Sequence, residues 1–167
     1  MPQKFLKHLN PLLTTSSPQQ LQPDFSQGDR AISNPLYASV QALIRLRQYR
    51  AALNTADVLL TEGADDEEIW YLRGDALANL SCYHQAIASF QRALTFAASW
   101  PEVSISEAVC WLHLDQPQTA LAACDRALEI APTHAQAWLF KGVALHRLGQ
   151  LTKAYRCYQQ ALQHQAS

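Results

Sequence analysis

The cysteines, histidines and carboxylates of this chain are spaced in ways that match no known catalytic or metal-binding motif. Cys82, Cys110, Cys124 and Cys157 include no C-x-x-C pair, and the six histidines lack paired metal spacing. The chain also has no Gly-rich phosphate loop, no nucleophile elbow and no H-E-x-x-H sequence. The acidic residues 65–68 are typical of a solvated helix start favoured by the helix dipole. We therefore predict no catalytic residue, no metal site and no cofactor, and we expect the function to be recognition.

The strongest pattern in the chain is a repeat of 34 residues. One alanine recurs at this constant spacing, at Ala52, Ala86, Ala120 and Ala154. Four residues after it comes a variable core position, held by Ala56, Phe90, Cys124 and Tyr158. A period of this length is typical of a solenoid, in which each unit buries its apolar face only against its neighbours.

Each repeat unit predicts two helices that pack closely. The eighth residue of each unit is small or slim, at Val40, Gly74, Ala108 and Gly142. The third residue after it is apolar, at Leu43, Leu77, Trp111 and Leu145. Small and large side chains at helical spacing allow neighbouring helix backbones to approach each other. The sequence therefore predicts an all-α fold of four helix-turn-helix units.

These positions resemble the tetratricopeptide repeat family, whose signature is Trp-x-x-Leu-Gly-x-x-Tyr, then Ala-x-x-x-Phe, then Pro. The second and fourth units match it best, with Trp70, Gly74 and Phe90 in one and Trp138 and Gly142 in the other. The third unit has a serine in place of the tryptophan, and the first unit is the most degraded. The resemblance implies a right-handed α-solenoid with repeats at residues 33–66, 67–100, 101–134 and 135–167.

The predicted helix ends agree with this phase. Gly149 suits a left-handed helix stop between the two helices of the fourth unit. Pro117 can open the second helix of the third unit, because its missing N–H would be unpaired in a first turn anyway. Asp66 and Thr133 are the predicted N-caps of the helices that follow them.

The composition excludes two classes of partner. Thirteen Lys and Arg against fourteen Asp and Glu give a net charge of −1, which offers no basic field for a nucleic-acid backbone. No apolar stretch approaches the roughly 20 residues of a transmembrane helix. We expect a cytoplasmic protein with reduced thiols, and the alternatives of peripheral membrane association and organellar targeting stay open.

The first 32 residues differ in composition from the repeats. Residues 14–29 are rich in Pro, Gln and Ser and are typical of a flexible linker. Before them, a short apolar motif runs from Phe5 to Leu13 at roughly helical spacing. We consider three roles for this segment: a disordered tail, a linear motif for another protein, or a segment that docks on the repeats.

The family resemblance implies that the first helices of the four units line a concave groove. The peptide-binding residues it predicts are polar and aromatic at one end of the groove and apolar at the other. They are Tyr37, Gln41, Arg45, Tyr71, Asp75, Asn79, Ile105, Val109, His113, Leu139, Val143 and Arg147. We expect this groove to bind an extended segment or an amphipathic helix of another protein. In the alternative interpretation, some of the apolar members are ordinary packing between helices.

Chaperone C-terminal tails are disfavoured as ligands. The family members that bind them hold a terminal carboxylate with Lys, Asn and Arg side chains at fixed positions. At the matching positions this chain has Tyr37, Gln41, Leu72, Glu102 and Ser106, which offer no lysine. A ligand with two carboxylates would meet Glu102 instead.

The last unit predicts a further contact surface. The sequence reaches Ser167 directly after the second helix of that unit, so we expect Tyr158 and Leu162 to be partly exposed. Such a surface favours a homo-oligomer formed through the C-terminal repeat. The function that the sequence favours is a non-enzymatic adaptor, scaffold or assembly factor. The alternatives are a regulatory or substrate-recruiting subunit of an enzyme complex and a membrane-associated assembly factor, for example of a photosynthetic or secretory complex.

Overall fold

The computed structural model describes residues 35–165, which form eight α-helices and no strand. In chain order the helices are α1 Pro35–Arg45, α2 Tyr49–Thr61, α3 Glu67–Asn79, α4 Tyr83–Phe96, α5 Pro101–His113, α6 Pro117–Ile130, α7 Ala135–Arg147 and α8 Leu151–Gln165. The linker and the apolar motif predicted before residue 33 lie outside the described residues. The predicted all-α solenoid is confirmed.

The helices stack in the order of the chain. Each helix contacts the next one, and the first helices of successive hairpins also contact each other: α1 with α3, α3 with α5 and α5 with α7. The buried side chains form three clusters, which run from Tyr37 to Cys110, from Ile105 to Ala144 and from Leu139 to Ala161. The first two clusters draw buried residues from more than one hairpin, whereas the third lies within the fourth hairpin and is packed against Leu121 of the third.

The glycine of the first helix provides the space for an aromatic ring of the second. A Cβ atom built on Gly74 would lie 2.5 Å from Cε1 of Phe90, and one on Gly142 would overlap the ring of Tyr158 in the same way. Phe90 and Tyr158 are 1% and 6% exposed. The expectation that Tyr158 is exposed is therefore wrong, because its ring fills the space above Gly142.

All four first helices end in the same backbone motif. Arg47, Ser81, Asp115 and Gly149 have left-handed φ values of 59°, 61°, 55° and 74°. The residue after each of them donates its N–H to a carbonyl five residues earlier, as Gln150 does to Leu145 at 2.9 Å. This is the Schellman motif. It confirms the predicted stop at Gly149 and shows that three residues other than glycine adopt the same conformation.

The helix starts follow the predictions at two of three positions. The Asp66 side chain accepts a hydrogen bond from the backbone N–H of Ile69 at 3.0 Å, so it is the predicted N-cap of α3. Pro117 is the first residue of α6, also as predicted. Thr133 was the wrong residue for the third position, because it lies in a turn and the N-cap of α7 is His134.

A polar contact recurs at the three junctions between hairpins. The second helix of one hairpin and the first helix of the next contribute one side chain each, 16 residues apart in the chain. The three pairs are Asp57 with Arg73 at 2.7 Å, Gln91 with Glu107 at 3.0 Å and Asp125 with Lys141 at 2.6 Å. These pairs fix which positions of neighbouring hairpins face each other.

Buried cysteines are part of this packing. Cys110, Cys124 and Cys157 are buried, Cys82 is exposed, and all four are free thiols. Burial raises the pKa of the Cys110 and Cys124 thiols to about 12, so neither is a ready nucleophile. Within residues 35–165, no helix is long and apolar enough to cross a membrane.

Candidate functional site

The first helices α1, α3, α5 and α7 line one face of the stack, which we call the first-helix face. Within the described part of the chain they contact each other at all three junctions, whereas the second helices lack comparable contacts. Helices that lie closer together occupy the inner side of a curved stack. The first-helix face is therefore the concave side of the stack, and the predicted peptide-binding residues belong to the helices that form it.

The twelve predicted residues differ in accessibility. Six are buried, and these are Tyr37, Tyr71, Asp75, Ile105, Val109 and Leu139. Three are half-buried, namely Gln41, Asn79 and Val143. The exposed ones are Arg45, His113 and Arg147. Only the last two groups present side chains that a ligand can reach without movement of the helices.

At the polar end, two predicted residues bind the start of α3. The Tyr37 hydroxyl donates a hydrogen bond to Oδ2 of Asp66 at 2.7 Å, and Nε2 of Gln41 donates to Oε1 of Glu68 at 3.0 Å. Burial, together with the Asp66 carboxylate, raises the pKa of Tyr37 above its usual value. These contacts join α1 to the start of α3 and leave part of the Gln41 side chain accessible.

Asp75 is a buried carboxylate in the centre of this face. It is 2% exposed, and its Oδ1 accepts a hydrogen bond from Nδ2 of Asn79 at 2.9 Å. No group in the described residues donates to its Oδ2. Burial raises the pKa of Asp75 to about 7, and the bond from Asn79 opposes this rise.

Tyr71 lies one turn before Asp75 and has a packing role. Its ring centroid is 5.1 Å from that of Trp100 and 5.9 Å from that of Phe90. Aromatic pairs at these distances stabilise a core. Only 1% of Tyr71 is exposed, so its ring forms the floor of the first-helix face.

The predicted apolar end is mostly packing between helices. Ile105 is 0% exposed, and Val109 and Leu139 are 6% exposed. Ile105 and Val109 belong to the second buried cluster and Leu139 to the third. The alternative interpretation, packing between helices, therefore describes these three residues. Val143 is half-buried and keeps an accessible apolar surface on α7.

A row of accessible side chains follows one edge of the first-helix face. Its members recur every 34 residues in the last turns of the first helices: Arg45, Asn79, His113 and Arg147. The ring of His113 stacks on Tyr83 with centroids 4.6 Å apart. Burial and the nearby Arg147 lower the pKa of His113. We call these four residues the edge row.

Arg147 ties the edge row to the preceding hairpin. Its guanidinium donates a hydrogen bond to the backbone carbonyl of Leu112, one of the last carbonyls of α5. The same guanidinium lies 3.7 Å from the carboxylate of Asp115. These contacts hold the arginine in place, while 42% of its side chain stays exposed.

The positions that correspond to the chaperone-tail clamp carry no lysine or arginine. Leu72 is 2% exposed and Ser106 is 4% exposed, so both are part of the packing. Glu102 lies 3.7 Å from Nε2 of His134, and this neighbouring histidine lowers the pKa of Glu102. Among the described residues, no group of three or more His, Cys, Asp and Glu side chains could hold a metal ion.

Sequence reasoning missed a second polar cluster, between α4, α5 and α6. Glu107 is 4% exposed and accepts hydrogen bonds from Nε2 of Gln91 at 3.0 Å and from Nε1 of Trp111 at 3.2 Å. It also pairs with the guanidinium of Arg126. An open cavity of about 250 Å³ lies beside the cluster. The sequence carried one signal for this cluster: Glu107 is acidic at the position where the neighbouring units have the basic residues Arg73 and Lys141.

Comparison with known proteins agrees with this geometry. The family model described as Tetratricopeptide repeat matches residues 37–103, 83–135 and 112–167. A curated relative, the FK506-binding protein-like protein of Homo sapiens, is 51% identical over 47 residues, which are 28% of this chain and 14% of that protein. The match thus spans far less than the length of the curated relative.

Two solved structures share the fold. MamA from Desulfovibrio magneticus RS-1, in a form comprising residue 41 to the end, superposes with a TM-score of 0.71 at 28% identity and covers 82% of this chain and 76% of its own. The second TPR domain of Spaghetti (RPAP3), solved with the HSP90 peptide SRMEEVD bound, has a TM-score of 0.56 at 20% identity and covers 57% and 89%. Because the family matches together span residues 37–167, the chain belongs to the tetratricopeptide repeat family.

Proposed function

We propose that this chain is a protein-interaction module that binds a polypeptide segment of another protein along the first-helix face and acts as an adaptor without catalysis of its own. One observation carries the proposal: Arg45, Asn79, His113 and Arg147 stay accessible at the same position of four successive first helices, above a buried floor. A regular row of this kind suits a ligand that is itself extended along the stack.

The chemistry of the edge row fits the backbone of an extended segment. The two guanidinium groups and the imidazole of His113 can donate hydrogen bonds to carbonyl oxygens or carboxylates. The Nδ2 group of Asn79 donates to both the backbone carbonyl and Oδ1 of Asp75, and the amide oxygen is left to accept from a backbone N–H. Half-buried Val143 offers an apolar contact near the other end of the face. The ligand is therefore a segment with regularly spaced polar groups.

The rigid floor supports binding of a flexible segment. Tyr37, Tyr71, Ile105 and Leu139 are buried among the helices of the stack. The face then loses little conformational freedom on binding, and only the segment has to be ordered. The Spaghetti domain, which has the same fold, was solved with a peptide bound. The clamp positions differ in this chain, so we propose a segment other than a chaperone C-terminal tail.

Selection from a displayed peptide library tests this proposal, because it supplies a ligand without knowledge of the natural partner. We expect the selected peptides to lose at least about tenfold in affinity when Asn79→Ala and His113→Ala are combined, as measured by isothermal titration calorimetry. The matched control is Glu129→Ala, an exposed residue on the second helix α6, which should leave the affinity unchanged.

The proposal fails if no peptide is selected, or if the control weakens binding as much as the double variant does. Thermal melting of all three proteins separates a lost contact from a lost fold. His113 is exposed, whereas Asn79 is half-buried and donates to the buried Asp75, so we expect the double variant to lose some stability and still to fold; binding is therefore measured well below its melting temperature.

A further inference from the structure

The first-helix face has carboxylates along one edge and basic groups along the other, where the edge row lies. Glu68 and Glu102 are the second residues of α3 and α5, and both are half-buried. Asn79 and His113 of the edge row are the last residues of the same two helices. The second and last residues are 11 positions apart, which is about 16 Å along a helix and within about 20° of the same side. We call Glu68 and Glu102 the acidic edge.

Contacts with other residues of the face show that the acidic edge belongs to it. Oε1 of Glu68 accepts a hydrogen bond from Nε2 of Gln41, one of the accessible residues of this face. Burial raises the pKa of Tyr71 most, and the Asp75 and Glu102 carboxylates add to the rise, so both lie near the Tyr71 hydroxyl. A segment bound along the face therefore passes between the acidic edge and the edge row.

The two edges carry net charges of opposite sign. At the acidic edge, the two carboxylates outnumber the nearby His134. This histidine lowers the pKa of Glu102, so the carboxylate is ionised at neutral pH. At the edge row, Arg45 and Arg147 outnumber Asp115, which lies 3.7 Å from Arg147. Helix dipoles favour the same signs at helix starts and ends, so both edges are compatible with stable helices.

A buried carboxylate between the edges also lacks a positive partner. Asp75 lies seven residues after Glu68 and four before Asn79, so it shares their side of α3. It is 2% exposed, and no group of residues 35–165 donates to its Oδ2. A cation held over the acidic edge would stabilise the ionised form of Asp75. The middle of the face therefore favours a ligand that brings positive charge to this side.

An extended segment can satisfy both edges at once. Its successive side chains point to opposite sides, so alternate residues face the same edge. The residues of one set meet the acidic edge, and the residues between them meet the edge row. Charge complementarity with both edges therefore requires basic and acidic residues to alternate along the segment.

We propose, on the basis of the proposed function, that the segment bound by the first-helix face is extended and has Lys or Arg residues alternating with Asp or Glu residues. The basic side chains lie over Glu68 and Glu102, and the acidic side chains meet the edge row. The order of the charges, and not the net charge of the segment, selects the partner.

Two synthetic peptides of identical composition test this pattern. One has four Lys-Glu pairs in strict alternation. The other has the sequence Lys-Lys-Glu-Glu twice, so each side of the extended peptide carries both charges. Both are acetylated and amidated to remove terminal charges, and neither has a net charge. Each is titrated into the ¹⁵N-labelled full chain at about 20 mM salt, where screening is weak, and amide chemical shifts report the site and the affinity.

We expect the alternating peptide to shift amides of α1, α3, α5 and α7 and to bind at least about threefold more tightly than the other peptide. Glu68→Gln combined with Glu102→Gln should abolish this preference, because glutamine keeps the shape and an acceptor oxygen but not the charge. The matched control is Glu62→Gln combined with Glu129→Gln, which removes two charges at exposed positions at the end of α2 and on α6. It should keep the preference. The ¹⁵N spectra show whether each variant is folded.

Equal affinity of the two peptides would overturn the proposal, as would the absence of any shift with about 5 mM alternating peptide. A preference that survives Glu68→Gln with Glu102→Gln, or shifts confined to the second helices, would also contradict it. The proposed function is judged separately. Library peptides that lose affinity in the Asn79→Ala and His113→Ala variant support that function even if their charges do not alternate.

Discussion

The ring of Phe90 occupies the space that a side chain on Gly74 would need, because a Cβ there would lie 2.5 Å from Cε1 of that ring. The fourth hairpin repeats this relationship with Gly142 and Tyr158. In the first repeat the same two positions hold Val40 and Ala56. In these three hairpins a larger residue on one helix is thus matched by a smaller one on its partner, whereas the third hairpin has Ala108 and Cys124 at these positions.

Replacing Gly74 by valine should therefore destabilise the protein. We expect Gly74→Val to lower the free energy of unfolding by roughly 1–3 kcal/mol, because the buried Phe90 ring leaves no room for the added methyl groups. Urea denaturation followed by circular dichroism measures the loss. Combining Gly74→Val with Phe90→Ala reproduces the Val40 and Ala56 pair of the first repeat. The double variant should therefore lose less stability than the sum of the losses of the two single variants. Simple additivity would contradict the contact.

The four Schellman motifs predict opposite changes in stability at two equivalent positions, Ser81 and Gly149. Ser81 has a φ of 61°, a conformation that costs a side chain roughly 1–2 kcal/mol. Glycine has no steric cost in this conformation, although it loses more backbone entropy on folding. We therefore expect Ser81→Gly to stabilise the protein by about 0.5–1 kcal/mol. At Gly149, with a φ of 74°, alanine should destabilise by about 1 kcal/mol. Thermal melting of both variants checks the two signs, and equal signs would rule out a shared conformation.

Local sequence rules were sufficient for part of the fold. The cap at Asp66, the helix start at Pro117 and the stop at Gly149 each depend on one residue type with a special backbone role. Arg47, Ser81 and Asp115 could not be predicted as left-handed from their identity. The conformation there is imposed by the repeated packing of the hairpin, which overrides the cost to the single residue.

The candidate site was harder to predict, because burial on the first-helix face is decided by the next repeat. Tyr71 and Ile105 stand at positions that a single helix would expose. The following first helix covers them, so both become floor residues. Asp75 was predicted as a groove residue, but its burial was not, and the cluster around Glu107 was missed altogether. In both cases groups from other helices enclose the carboxylate, as Cys110 does for Asp75 and Gln91 and Arg126 do for Glu107.

Glu107 should be important for stability at the junction between the second and third repeats. Glu107→Ala removes the acceptor used by Gln91, Trp111 and Arg126, so we expect a loss of roughly 1–3 kcal/mol in the free energy of unfolding. Glu107→Gln keeps an acceptor oxygen and should cost less. Urea denaturation compares the two variants. If glutamine were as harmful as alanine, the charge on Glu107 and not its hydrogen bonds would hold the cluster together.

Asp75 predicts a dependence of stability on pH. In the unfolded chain its carboxyl ionises near the ordinary value of 3.8, whereas burial raises the pKa to about 7 in the folded protein. The folded state therefore keeps the proton over a range in which the unfolded state has lost it. The contribution of Asp75 to stability is fully present below about pH 4 and is lost as the pH rises to about 7. The loss amounts to roughly 1.4 kcal/mol for each pKa unit of difference.

Asp75→Asn removes this titration and keeps a side chain of the same shape, so the variant should gain stability over the wild type as the pH rises. Urea denaturation between about pH 4 and pH 8 measures the difference, which should increase up to about pH 7 and then level off. Tyr71 and Cys110, which also face Asp75, have raised pKa values and stay neutral in this range. Glu129→Gln, at an exposed position on α6, is the control and should run parallel to the wild type. A difference that stays constant with pH would show that Asp75 is ionised in the folded protein throughout, and that a donor reaches its Oδ2.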